Sequence, residues 1–444
     1  MRVVYLIAGA GGMYCGSCLR DNRLAATLQQ QGRDILLIPL YTPIRTDEHD
    51  VSDRRLYYGG VNVYLEDKGS LFRRIPRIFH DALNSRRLLK AVGKFASATR
   101  PEQLGQLTVD VLRGDDGPQQ RELDLLIAGL APLQPDLINL PNLMFLGVAR
   151  RLKQTLKVPI VCALAGEDIF LDVIPQPHRT EAFQLIEQHA KYIDAFTAPT
   201  RYYAAHCTDH FHLPAEKIHY IPMGIAVDDF ERLESRNNGP MSIGYLARIC
   251  PEKGLHLLAD AFHQLRRRGH EMRLHIAGYL GRSDRAYWNR IRKQLATQGH
   301  WPRVTFQPDI DRDAKIRFLQ SVNLFSVPTT YPESKGLSLL EAKAAGLPIV
   351  QPRHGVFPEL IEASNGGVLC EPNNAGALAD AIESLIRDPE QWRLLGQNAR
   401  AYVQEHHTDE IMARETWKLF EKVAEAFRHK KSDPSEASAA ADNA

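Results

Sequence analysis

An α/β protein built from two doubly wound parallel-sheet domains is what this sequence predicts, on three observations. Short, nearly continuous apolar runs recur along the chain, the stretches between them have the length of helices, and the series stops at a polar segment near residue 235 before starting again. A strand buried on both faces shows no polar alternation. Unbroken Val/Ile/Leu runs separated by helix-length segments therefore signal parallel sheets covered on both sides. At 444 residues the chain is also too long for one ordinary core.

The first domain is expected over residues 1–230. Its strands are RVVYLIA (2–8), DILLIPLY (34–41), DLINL (136–140), PIVCALA (159–165), AFTAPT (195–200) and IHYIPM (218–223). Residues 66–130 read as a helical, partly basic insertion. ERLESRNNGP (231–240) carries Asn-Asn-Gly-Pro and no apolar period, which marks a linker. The second domain, 241–425, opens on SIGYLA (242–247) and continues through RLHIAG (273–278), VTFQP (304–308), LFSVP (324–328) and PIVQP (348–352). Its last helix is free to pack back on the first domain. Residues 426–444 are small and polar, the composition of a disordered tail. Ligands of doubly wound sheets gather at the carboxyl ends of the strands, so the expected site is a cleft with the two domains facing across it.

Composition excludes several classes of function. A net charge of +2 gives no global bias toward nucleic acid. No run of about 18 apolar residues suggests a transmembrane helix, and the apolar start MRVVYLIAGAGG flows into a glycine turn, as a buried first strand does. Six scattered cysteines suit a reducing cytoplasm better than a disulfide scaffold. One charged segment stands out. Residues 70–95 set seven cations against the single acid Asp81. They could make a peripheral contact with the anionic inner face of a membrane, receive an anionic acceptor, or simply form a solvated helical face.

Three stretches carry candidate chemistry. GAGGMYCGSC (9–18) lies between a strand and a helix, where glycines let backbone amides approach a phosphate. Its fit to a dinucleotide fingerprint is imperfect, so a ligand-facing turn or a merely tight turn remain open. Cys15 and Cys18 within it sit at a helix start, where redox thiols occur, yet zinc needs four ligands and no second cysteine pair exists; packing is the plainer reading. In SIGYLARICPEKGLHLL (242–258), Arg248 and Lys253 stand five apart between a strand and a helix. That is a diphosphate clamp or a solvated basic loop.

The third stretch, YPESKGLSLLEAKAAGLPIV (331–350), holds Glu333 and Glu341 around Gly336 and Leu337. Ser338 to Glu341 spells a capping box, a structural explanation for Glu341 that Glu333 lacks. A catalytic acid pair, a metal site and contacts to a sugar nucleotide are the functional alternatives.

Taken together, LARICPEKG, YPESKGLSLLEAKAAGLPIV and QPRHGVFPELIE resemble the nucleotide-sugar half of the family 4 glycosyltransferases, retaining enzymes of the GT-B fold. The GAGG turn, PDLINLPN (135–142), GEDIFLD (166–172) and IPMGI (221–225) resemble the same family more loosely. The resemblance implies two Rossmann-like domains and transfer of a hexose-type sugar, with retention, from a nucleotide diphosphate donor to an unidentified acceptor: a glycan, a lipid-linked molecule or a small molecule. It implies that Arg248 and Lys253 bind the donor diphosphate and stabilise charge on it, helped by the Gly336 and Leu337 amides. Glu341 would accept from the ribose, Glu333 would hold the transferred sugar, and Gly11 and Gly12 would approach the donor. No metal and no cofactor are implied. Glu167 and Asp168 are acceptor-side candidates. Ala165 stands where many members carry His, and Met223 where Asn is frequent. The alternatives are a non-catalytic nucleotide-sugar-binding protein, or an epimerase or phosphorylase of the same fold.

Overall fold

The computed structural model describes residues 1–9, 15–53, 104–231 and 240–432. The basic segment 70–95, Gly11, Gly12, nearly all of the nominated linker and residues 433–444 lie outside the described residues. The first seven residues of the nominated tail, 426–432, are instead the end of helix Asp409–Ser432. The chain divides into two compact units. One holds Met1–Pro199, Tyr203–Ile221 and the chain from Met412; the other holds Thr200–Tyr202 and Pro222–Ile411.

The first unit is a parallel sheet in the order β2-β1-β3-β4-β5-β6. Its strands are β1 (Arg2–Ile7), β2 (Asp34–Pro39), β3 (Leu137–Leu140), β4 (Ile160–Ala163), β5 (Ala195–Ala198) and β6 (Ile218–Tyr220). Val3 through Ile7 are all buried, as the unbroken apolar run requires of a strand covered on both faces. Part of the predicted insertion appears as helices Gly105–Arg113 and Gln120–Leu130. The last helix, Asp409–Ser432, supplies Met412, Trp417 and Phe420 to one core with Val3, Tyr5, Leu28 and Leu37. Each large side chain buried this way contributes on the order of 1.5–3 kcal/mol. The C-terminal helix is thus part of the first unit's core.

The second unit is also parallel, in the order β12-β11-β10-β7-β8-β9. Its strands are β7 (Met241–Leu246), β8 (Met272–Gly278), β9 (Val304–Pro308), β10 (Leu324–Phe325), β11 (Ile349–Pro352) and β12 (Gly367–Cys370). The chain runs outward from β7 to one edge, then returns to the other side of β7 at β10. That reversal is the topological switch point, where open α/β sheets bind ligands beyond the strand ends. Covering helices follow the sequence period. Leu255–Arg267 buries Leu255, Leu258, Ala259, Phe262 and Leu265 on one side. Side-chain caps start others: Asp311 accepts from Ala314 N and Asn374 from Ala377 N, each worth about 1 kcal/mol.

Two differences from the sequence reading are physical. β12 was not anticipated, because GVLC is short, half-buried and at a sheet edge. LFSVP is a strand only at Leu324–Phe325, and Pro328, lacking an N–H, cannot extend the ladder.

Candidate functional site

The loops after β7 and β10 meet at the switch point of the second unit. After β7, Pro251–Lys253 form one 3-10 turn and Gly254 opens the helix Leu255–Arg267 with φ 69°. A Cβ on Gly254 would lie 1.7 Å from the Pro328 carbonyl oxygen, so only glycine permits this approach of the two loops. Thr330 N donates to Glu252 O at 2.9 Å and joins them further.

This contact brings Lys253 to the stretch that holds Glu333. Lys253 Nζ lies 2.5 Å from Glu333 Oε2 and 2.5 Å from the Tyr331 hydroxyl, which itself donates to Glu333 Oε2 at 2.9 Å. The ammonium also sits 5.0 Å from the centre of the Tyr331 ring. Lys335 N donates to Glu333 Oε1 at 3.2 Å. The Glu333 backbone is fixed by Val356 N, and a Cβ on Gly355 would fall 2.4 Å from Glu333 N. Burial alone would raise the Glu333 carboxyl. The Lys253 charge and hydrogen bond, with Lys335 and Tyr331, outweigh burial and hold it at about 2. Glu333 is therefore an anion at neutral pH. Arg248 is exposed just beyond β7, with Nε 3.3 Å from the Cys250 sulfur.

Glu341 has a different partner. The capping box read from Ser338 and Glu341 does not form: Gly336, at φ 72°, is the N-cap of helix Leu337–Ala344, so Ser338 lies inside it. Glu341 Oε1 instead accepts from Lys315 Nζ at 2.5 Å. Both side chains are 9% exposed, a buried ion pair. Lys315 comes from helix Arg312–Gln320, which precedes β10.

The acceptor-side candidates lie in the first unit. Glu167 accepts from Leu143 N at 3.0 Å and Ala165 N at 2.9 Å. The Tyr203 hydroxyl is 2.9 Å from Glu167 and 2.8 Å from Asp168, and can donate to one of them. Burial pushes the Glu167 carboxyl up against the pull of those amides. Its oxygens thus tie together the loops after β3 and β4, whereas Asp168 is half-buried, with His206 Nε2 at 3.6 Å. Cys15 occupies an N-cap position without a side-chain cap, Cys18 is buried, and neither is in a disulfide. No group of three or more metal-ligating residues occurs among the described residues.

Sequence reasoning missed Tyr331 and Lys315. Tyr331 lay within the quoted stretch, but nothing in its spacing says where the hydroxyl points. Lys315 is one cation in an ordinary amphipathic helix, 26 residues from the carboxylate it meets.

These geometries define a class of protein: two Rossmann-like units, one with a cation-lined switch point. Comparison with known proteins places the class. Among solved structures, a sucrose-phosphate synthase from Thermosynechococcus elongatus aligns over 96% of this chain and 100% of its own, with TM-score 0.70 and 20% identity. Anabaena HepE in complex with UDP-glucose aligns over 95% and 100%, with TM-score 0.64 and 17% identity. The fold is GT-B.

The model of Glycosyltransferase Family 4 matches residues 112–229, and that of Glycosyl transferases group 1 matches residues 228–402. The two matches adjoin and together span more than half of the chain, which belongs to this family of glycosyltransferases. The putative colanic acid biosynthesis glycosyltransferase WcaL of Escherichia coli is 28% identical over 47% of this chain and 52% of its own length. A GDP-mannose-dependent alpha-(1-6)-phosphatidylinositol monomannoside mannosyltransferase of Mycobacterium tuberculosis is 26% identical over 43% and 52%. The chain spans about half the length of these curated relatives.

Proposed function

We propose that this protein transfers a hexose-type sugar from a nucleotide diphosphate donor to an acceptor, with retention and without a metal ion. The observation that carries the reading is the contact of Lys253, Tyr331 and Glu333 at the switch point, beside Arg248. A nucleotide-sugar bond breaks as negative charge builds on the departing diphosphate. Two cations fixed at a strand end and a helix start supply stabilisation where that charge develops. Lys253 and Arg248 take that role, with the Gly336 and Leu337 amides at the start of their own helix. Glu333, held as an anion, faces the sugar; Glu341 accepts from the ribose.

The pairing also weighs against a glycosidase. Such an enzyme needs one carboxyl protonated as general acid beside the scissile bond. A carboxyl held at about 2 by Lys253 is a poor proton donor at neutral pH. Asp168 is the acceptor-side group we retain, since Glu167 is engaged by backbone amides. Retention rests on the family resemblance, and the anomer of the product, read by NMR, tests it.

A thermal-shift panel of nucleotide sugars is the direct test of donor binding. A donor at 100 times its Kd should stabilise the protein by about 2.7 kcal/mol. A panel spanning the common bases and hexoses with no shift would end the donor reading. Binding without acceptor-dependent release of nucleoside diphosphate would favour the non-catalytic alternative, and turnover unchanged by a chelator would bear on the metal-free reading.

Glu341 gives a second expected result. The ribose does not change during reaction, so Glu341→Gln should raise donor KM by about tenfold and leave kcat nearly unchanged. The same change strips a buried ammonium of its carboxylate and should cost about 3 kcal/mol of stability. Adding Lys315→Met should restore the melting temperature but not the KM. Recovery of both would mean that the pair is structural only, and loss of neither would remove both the structural and the ribose role.

A further inference from the structure

We propose that Tyr331 is a positioning residue for the Lys253–Glu333 pair, keeping the Glu333 carboxylate aimed when the Lys253 ammonium engages the donor diphosphate; the assignment rests on the functional reading of that pair given above. An ammonium has three N–H donors. One is directed at Glu333 and one at the Tyr331 hydroxyl, leaving the third for a phosphate oxygen. A diphosphate is a stronger attractor than a single shared carboxylate. As Lys253 leans toward it, Glu333 keeps less of its cation while its own surroundings stay buried.

The Tyr331 hydroxyl is built for that moment. It accepts from Lys253 and donates to Glu333 Oε2 at 2.9 Å, so it touches both members of the pair. Burial first, and then the Glu333 charge, push the phenol well above its ordinary value, so the hydroxyl keeps its proton and remains a donor. Its backbone is pinned by Thr329 Oγ1, which donates to Tyr331 O at 2.9 Å. The ring beneath the ammonium, 5.0 Å from Nζ, limits how far Lys253 can swing. Together with Lys335 N on the other carboxylate oxygen, the phenol holds Glu333 in one orientation regardless of where Lys253 points.

Tyr331→Phe removes the hydroxyl and keeps the ring. With whichever of UDP-glucose and GDP-mannose the wild type turns over, kcat should fall about tenfold or more, with donor KM within about threefold. The acid limb of the kcat profile should move to higher pH, because Glu333 loses a donor that holds its carboxyl down. A kcat within twofold of wild type and an unmoved acid limb would overturn the assignment.

A ligand-free readout separates this from failure of the donor reading. The Tyr331→Phe protein should unfold in acid at higher pH than wild type, and this shift should vanish when both proteins also carry Glu333→Gln. Identical acid midpoints for wild type and Tyr331→Phe would overturn the Tyr331–Glu333 coupling whether or not any nucleotide sugar binds. Absence of nucleotide-sugar binding in wild type, beside a shifted midpoint, would instead remove the donor role of the pair, and with it the positioning role.

Discussion

Glu333→Gln should cut kcat by about 10²–10³-fold and leave nucleoside diphosphate bound as tightly as in the wild type, or more tightly. The two halves follow from one geometry. The Glu333 carboxylate holds the Lys253 ammonium at 2.5 Å, in direct competition with any phosphate. Removing its charge frees Lys253 for the diphosphate, so affinity for the bare nucleotide has no reason to fall. In the proposed role the transferring sugar would lose the anion facing it as positive charge develops, and an interaction realised mainly in the transition state is read in kcat. Calorimetry with nucleoside diphosphates and steady-state turnover decide the matter. Wild-type turnover would remove Glu333 from the reaction, and a parallel loss of nucleotide affinity would mean that it serves binding alone.

Which parts of this were legible beforehand follows from where the information sits in the chain. A parallel strand covered on both faces writes itself as a local apolar run, so Val3–Ile7 and Ile243–Leu246 announced themselves. GVLC did not, since an edge strand buries little and needs little apolar sequence. The resemblance nominated Lys253 and Glu333 separately. Their contact spans 80 residues of chain and depends on Gly254 letting one loop touch the other, which no local pattern records. Glu341 shows the converse failure. S-x-x-E is a genuine local signal, but the left-handed Gly336 already begins the helix at Leu337 and shifts Ser338 out of the cap position. The carboxylate then found Lys315, a partner invisible to spacing.

Lys343, on the same helix, has its expected signature in stability against pH. It is a lysine that is 0% exposed. Its Nζ donates to Leu360 O at 2.8 Å and lies 4.4 Å from the centre of the Tyr402 ring. Burial lowers its pKa from 10.5 to about 7. Below about 7 the lysine is charged in the folded and unfolded chain alike, and folding bears the full cost of burying the charge. Between 7 and 10.5 the unfolded chain holds a proton that the folded protein does not, so stability rises with pH, by up to about 1.4 kcal/mol per unit and about 5 kcal/mol in all. His407, near Lys343, is lowered to about 4 by burial, against its hydrogen bond to Met223 O, so its own window lies below neutrality. Lys217 is also lowered by burial, which makes comparison with a variant necessary. Lys343→Met keeps the apolar stem and removes the charge. The variant should be the more stable protein at pH 6.5, and its advantage should shrink by about 1 kcal/mol per pH unit up to pH 9. Guanidinium unfolding at four pH values measures the gap. A gap that stays constant would mean that Lys343 titrates as an ordinary lysine and finds water that this packing denies it.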